Sequence, residues 1–117
     1  MGGTAQKRLV RKRDLERALS EIEAHSKPKA YLEQYTTPSE VAAEMLYLAA
    51  YVYNDIMDKT VVELGCGTGR LAIGAALLGA KEVIGVDVNR AAVRMAQANE
   101  LTPSFRCTVH LIPFQVR

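Results

Sequence analysis

Cysteine and histidine are scarce, two of each in 117 residues. Cys66 and Cys107 lack the close spacing of a zinc site, and His25 and His110 stand too far from one another in the chain to complete one. Metal-centred chemistry is therefore not expected, and a reducing compartment is the simpler reading of so few thiols. Long apolar runs are also missing: none approaches the roughly 18 to 20 residues of a membrane span. The basic N-terminus leads into no apolar segment of the sort a secretory leader carries. A soluble, cytoplasmic chain is expected. There is no internal repeat and no low-complexity tract, and 117 residues with 49% hydrophobic content suffice for one modest domain, not two.

Net charge is low as well, +2 from fifteen basic and thirteen acidic residues, but its distribution is uneven. Residues 1–29 hold eight Lys or Arg against four acids, leaving seven against nine in the remainder. Leu15, Ala18, Leu19 and Ile22 recur at i, i+3, i+4 and i+7, one apolar stripe on a helix whose other faces are basic, and Pro28 limits that helix to about Ser26. "TPSE" at 37–40 has the form of a capping box, with Thr37 and Glu40 exchanging hydrogen bonds and Pro38 at the first helical position. The helix that follows is expected to bury Val41, Met45, Leu48, Ala49 and Val52, and to close at Asn54, Asp55 and Asp58. Strands and helices then alternate, the mark of a parallel α/β sheet. Thr60–Leu64 is a strand, Leu71–Leu78 a helix with Gly79 as its C′ residue, and Glu82–Val86 a second strand with Asp87 at its tip. Asn89 caps a helix that turns Ala92, Val93 and Ala96 to the sheet, and Ser104–Ile112 alternates as a third strand stopped by Pro113.

"VVELGCGTG" at 61–69 joins the first strand to its helix through a glycine loop. A dinucleotide fingerprint would place its third glycine where Arg70 stands; here the extra glycine comes one residue early, at Gly69. Glu63, two residues before Gly65, would repel a pyrophosphate but suits a ligand with cationic groups and no phosphate, such as S-adenosylmethionine. Asp87 stands where a carboxylate accepts from both ribose hydroxyls of an adenosine. That acid would serve a nicotinamide dinucleotide equally well, so Glu63 separates the ligands. Ordinary roles stay open: Glu63 as a solvated strand-end acid, Asp87 as a helix cap, Cys66 as a small filler.

"VVELGCGTGRLAIGAALLGA" followed by "VIGVDVN" resembles the first cofactor motif and second-strand acid of class I S-adenosylmethionine-dependent methyltransferases. The stretch from "KPKAYLEQYTTPSE" to the glycine loop resembles, more narrowly, the methyltransferase-like protein five group and its archaeal relatives, adenine-N6 methyltransferases of small-subunit ribosomal RNA. The resemblance covers about residues 7–100. It implies a Rossmann-like α/β fold, here the N-terminal half only: about three parallel strands in order 3-2-1 preceded by two helices. It also implies a basic N-terminal helix over 1–30 and an incomplete cofactor domain over 31–117. Carried onto this chain, Gln34 and Thr37 contact the cofactor from above, Gly65, Gly67, Thr68 and Gly69 shape its floor, Glu63 orients its methionine end and Asp87 binds its ribose; Tyr35 lines the pocket. Arg8, Arg11, Lys12, Arg13 and Arg17 are the expected RNA contacts. A small zinc-ribbon activator subunit is the partner implied.

One part of the group's pattern is missing. Its catalytic tetrapeptide, Asn-Pro-Pro followed by Phe or Tyr, is not in the sequence, and "IPF" at 112–114 offers one proline and no Asn. No catalytic residue is assigned, and a truncated or frame-shifted product is expected. Three functions follow: RNA adenine methylation, a non-catalytic remnant that still binds S-adenosylmethionine or RNA, and, more weakly, a dinucleotide-binding fragment.

Overall fold

The structure is a computed structural model, and it describes residues 10–22, 37–100 and 108–113. In chain order these form α1 (Lys12–Ser20), α2 (Ser39–Tyr47) running into a π-helical turn at Leu48–Val52, β1 (Thr60–Leu64), α3 (Arg70–Leu77), β2 (Glu82–Asp87), α4 (Arg90–Glu100) and β3 (Thr108–Pro113). The three strands pair in parallel in the order β1-β2-β3, with Val62 beside Ile84 and Ile84 beside His110. The expected 3-2-1 order is therefore present. Gln34, Tyr35, Arg8, Cys107 and the stretches 23–36 and 101–107 lie outside the described residues, as does the expected end of α1 near Ser26.

Local sequence accounts for most of these boundaries. Helix α3 ends in the Schellman arrangement that a glycine at C′ allows: Gly79 takes φ 94°, its N–H donates to the Ala76 carbonyl at 3.1 Å and that of Ala80 to Ala75 at 3.2 Å. Asn54 and Asp58, expected as breaks, adopt φ of 54° and 58°, a left-handed conformation that short polar side chains tolerate. Asn89 caps α4, its Oδ1 accepting from the N–H groups of Ala91 and Ala92 at 2.9 and 3.2 Å. Ala92, Val93 and Ala96 are buried, as their spacing predicts.

Helix α2 departs from expectation on two counts. Its buried residues are Ala42, Ala43 and Leu46, joined by Ala50 in the π turn, while Val41, Met45, Leu48 and Val52 are exposed. The physical reason lies across the contact. Gly74 of α3 leaves no room there, since a Cβ on it would collide with Leu46 Cδ1 and stand 3.1 Å from Leu19 Cδ2. Three helices approach closely at that point, so α2 turns its small residues inward. The capping box also does not form: Pro38 occupies the cap position with no side-chain hydrogen bond, and the helix starts at Ser39. The Thr37 carbonyl is engaged instead by Arg70.

Leu15 and Leu19 of α1, Leu46 of α2, Ile73 of α3 and Val83 of β2 share one core, so α1 packs directly on the body. The opposite side of β1 is bare: Val62 is 55% and Leu64 81% exposed. No helix among the described residues is long and apolar enough to cross a membrane.

Candidate cofactor-binding site

The glycine loop is built by backbone conformations that side chains resist. Gly65, Gly67 and Gly69 all take positive φ, 76°, 56° and 90°. At Gly69 a second constraint applies, for a Cβ there would stand 3.1 Å from the Cβ of Ala96 and 3.2 Å from Ile73 Cδ1. At Gly65 the reverse holds: a Cβ would meet nothing within 4 Å. That side of the loop is open space at the C-terminal ends of β1 and β2, the place where parallel α/β sheets take their ligands.

Backbone bonds tie the loop to the second strand. The N–H groups of Gly65 and Cys66 both donate to the Val86 carbonyl, at 2.7 and 2.9 Å, and that of Gly69 to Cys66 at 2.9 Å. Asp87 completes the attachment. Its Oδ2 accepts from the Gly67 N–H at 2.8 Å and its Oδ1 from the Asn89 N–H at 2.8 Å. One carboxylate thus holds the glycine loop and the start of α4, while lone pairs remain on both oxygens for a ligand hydroxyl.

Glu63 reaches α3. Its Oε1 accepts from the Ala72 N–H at 3.1 Å, one of the first-turn donors that Gly69, lacking a side chain, leaves without a cap. A carboxylate at that helix end also meets the positive end of the helix dipole. Burial nevertheless pushes the Glu63 carboxyl up to about 7, opposed by the Ala72 N–H and assisted by the charge of Asp87. Burial and then the two acids push the Cys66 thiol up to about 12, so it is neutral and a poor nucleophile. Thr68 is buried beside them.

Arg70 is the residue whose role the sequence did not reveal. Its Nη1 donates to the Thr37 carbonyl at 2.8 Å and its Nη2 to the Ile22 carbonyl at 2.9 Å. It therefore clamps the end of α1 and the entry to α2 against the loop, and its buried Nε has no hydrogen-bond partner among the described residues. The available signal was a cation in the first turn of a helix, where anions are favoured.

The structure thus brings Glu63, Gly65, Gly67, Thr68, Gly69 and Asp87 to one loop, with Thr37 joined to it through Arg70. Of the basic residues, Arg11 pairs with Asp14 at 2.8 Å and Lys12 with Glu44 at 2.6 Å. Arg13 and Arg17, one helical turn apart and exposed, form no ion pair among the described residues.

Known proteins share this architecture. The crystal structure of a candidate RNA methyltransferase from Pyrococcus horikoshii superposes with a TM-score of 0.78 at 42% identity, covering 94% of this chain and 56% of that one. The rRNA N(6)-adenosine-methyltransferase of Danio rerio is 39% identical over 87 residues, 74% of this chain and 42% of that protein. The ribosomal protein L11 methyltransferase of Colwellia psychrerythraea is 51% identical over 45 residues, 38% of this chain and 15% of that protein. The chain spans less than half the length of either curated relative. The family model of ribosomal protein L11 methyltransferase (PrmA) matches residues 42–112, more than half of the chain. The chain belongs to that methyltransferase family.

Proposed function

We propose that the chain supplies the S-adenosylmethionine site of an RNA methyltransferase that modifies adenine N6 in small-subunit ribosomal RNA. The observation that carries the cofactor is the pair of carboxylates, Glu63 and Asp87, flanking a glycine loop with no cationic side chain bonded to either among the described residues. Such a site favours a ligand with cationic groups over a pyrophosphate. Asp87 accepts from the ribose hydroxyls, Glu63 faces the methionine end, and Gly65, Gly67, Thr68 and Gly69 form the floor, with Thr37 above. When bound, the cofactor supplies an electrophilic methyl on sulfur. The contribution of the chain is to hold that methyl in a fixed direction, from which alignment with an attacking amine provides most of the rate.

RNA is favoured over protein as substrate by the extent of the likeness. The Colwellia psychrerythraea protein matches over 45 residues, whereas the Danio rerio enzyme matches over 87. Arg13 and Arg17, with Arg11 and Lys12, form the basic surface that would meet phosphates. The group resembled also brings a small zinc-ribbon activator as partner, and a cytoplasmic place of action.

The second reading is a non-catalytic role, which needs no Asn-Pro-Pro-Phe or Asn-Pro-Pro-Tyr segment to hold a flipped adenine at its amine. Titration with S-adenosylmethionine and NAD, followed by a tritium-transfer assay on small-subunit RNA, tests both. The expected result is binding of S-adenosylmethionine in preference to NAD, with no transfer by this chain until a segment carrying that tetrapeptide is appended. Tighter binding of NAD would refute the cofactor, and transfer by the 117-residue chain would show that the catalytic groups lie elsewhere. Charge reversal at Arg13 and Arg17 should flatten the salt dependence of RNA binding.

A further inference from the structure

Glu63 stands one residue before the end of β1 and Asp87 at the end of β2, and these strands are neighbours. Every partner of the two carboxylates among the described residues is a backbone N–H: Ala72 for Glu63, Gly67 and Asn89 for Asp87. No charged side chain of the surrounding elements is bonded to either carboxylate among the described residues, and on α4 Arg90 and Arg94 are exposed. On α3, the guanidinium of Arg70 is bonded to the carbonyls of Thr37 and Ile22. On β2, Glu82 lies at the opposite end and pairs with His110 of β3 at 3.1 Å. In the loop, the Cys66 thiol is held neutral. Two acids therefore share a poorly solvated corner with the starts of α3 and α4 and no bonded counter-ion among the described residues. Glu63 has a single N–H donor to stabilise its charge against burial, so it yields that charge when no cation is near.

We infer that Glu63 determines which form of the cofactor the site prefers: with Asp87 beside it, it favours the sulfonium of S-adenosylmethionine over the neutral thioether of S-adenosylhomocysteine, and takes a proton from solvent when the product replaces the cofactor. This rests on the proposed reading of the loop as an S-adenosylmethionine site. The two ligands carry the same ammonium, carboxylate and adenosine, so those groups cancel in the comparison and only the charge on sulfur differs. A positive sulfur offsets the second negative charge and lets Glu63 ionise. A neutral sulfur supplies no such offset, so Glu63 keeps the protonation state it has in the free protein, at no electrostatic cost to the ligand. The exchange has a use: proton uptake removes the charge pair that holds the cofactor just when the spent product has to leave.

The sign follows from the free protein. Glu63, pushed up to about 7, is protonated below that pH, so binding of the sulfonium must then release a proton and its affinity falls with acidification. The limiting slope is about tenfold per pH unit. Calorimetric titration with each ligand, from about pH 5.5 to 8.5 and in buffers of different ionisation enthalpy, counts the protons exchanged. The expected result is a Kd for S-adenosylmethionine that weakens by up to about tenfold per unit below pH 7, with proton release, against a nearly flat profile for S-adenosylhomocysteine. Glu63→Gln keeps an acceptor for the Ala72 N–H and removes the charge; it should bind both ligands alike at every pH. Parallel profiles in the unaltered chain, or a pH-dependent preference that persists in Glu63→Gln, would overturn the inference. Should the variant fail to fold, the two profiles and proton counts of the unaltered chain decide alone. Binding of neither ligand at any pH would instead refute the cofactor site itself, and the inference with it.

Discussion

Asp87 serves two structures with one side chain. It anchors the glycine loop through Gly67 and the start of α4 through Asn89, and it is the proposed holder of the ribose. The ligand role and the capping role, alternatives when only the sequence is considered, are compatible in three dimensions because a carboxylate has about four acceptor sites and the backbone uses two. Asp87→Ala should therefore lower the melting temperature and weaken cofactor binding together, each through lost bonds to a charged group worth about 1.5–3 kcal/mol. A variant that melts like the parent would show that the anchoring bonds carry no stability. Glu63 was legible as an acid near the loop, but its bond to Ala72 was not. Arg70 was less legible still: nothing in the string "GTGRLA" says that a guanidinium will find carbonyls 33 and 48 residues back along the chain.

At the scale of elements, the contact between α2 and α3 explains why a reading by periodicity chose the wrong face. Val41, Met45, Leu48 and Val52 form an apolar stripe at helical spacing, as do Ala42, Ala43, Leu46 and Ala50, and a helix apolar on both sides gives no preference by hydrophobicity alone. Close approach decided it. Gly74 admits Leu46 and Leu19 against the α3 backbone, and larger residues on α2 would hold the helices apart. Gly74→Val places a branched side chain in that contact, where overpacking costs about 1–3 kcal/mol. The expected loss in melting temperature is roughly 4–8 °C for each kcal/mol in a domain of this size, measured by thermal denaturation. No loss would mean that α2 is free to move away and that the contact does not set its face. By contrast, the ends of α3 and α4 were correctly read, since Gly79 and Asn89 act on backbone groups within a few residues of themselves.

For the molecule as a whole, the consequence of order β1-β2-β3 is that β1 has a paired neighbour on one side among the described residues. Its other side has no strand partner among the described residues, and the adjoining face presents Val62 and Leu64 to solvent. An open apolar edge invites pairing with another chain. The 117-residue chain by itself should therefore self-associate with rising concentration, and Leu64→Lys, which puts a charge on that strand, should shift it toward monomer in light scattering. A parent chain that stays monomeric throughout the range would contradict this.

The sequence by itself determined what depends on near neighbours. The alternation of strand and helix, the three glycines of the loop, the C′ glycine and the cap at Asn89 each follow from backbone conformations and hydrogen bonds that close over a few residues, and the parallel direction of the strands follows from how such units connect, whereas their order came from the family resemblance. Tertiary structure decided what depends on surfaces meeting. The inward face of α2 was set by the space beside Gly74, the partners of Arg70 by the convergence of three helical ends, and the charge state of Glu63 by burial next to Asp87. Those are properties of distance and solvent exposure, which a linear pattern does not contain until the chain has folded.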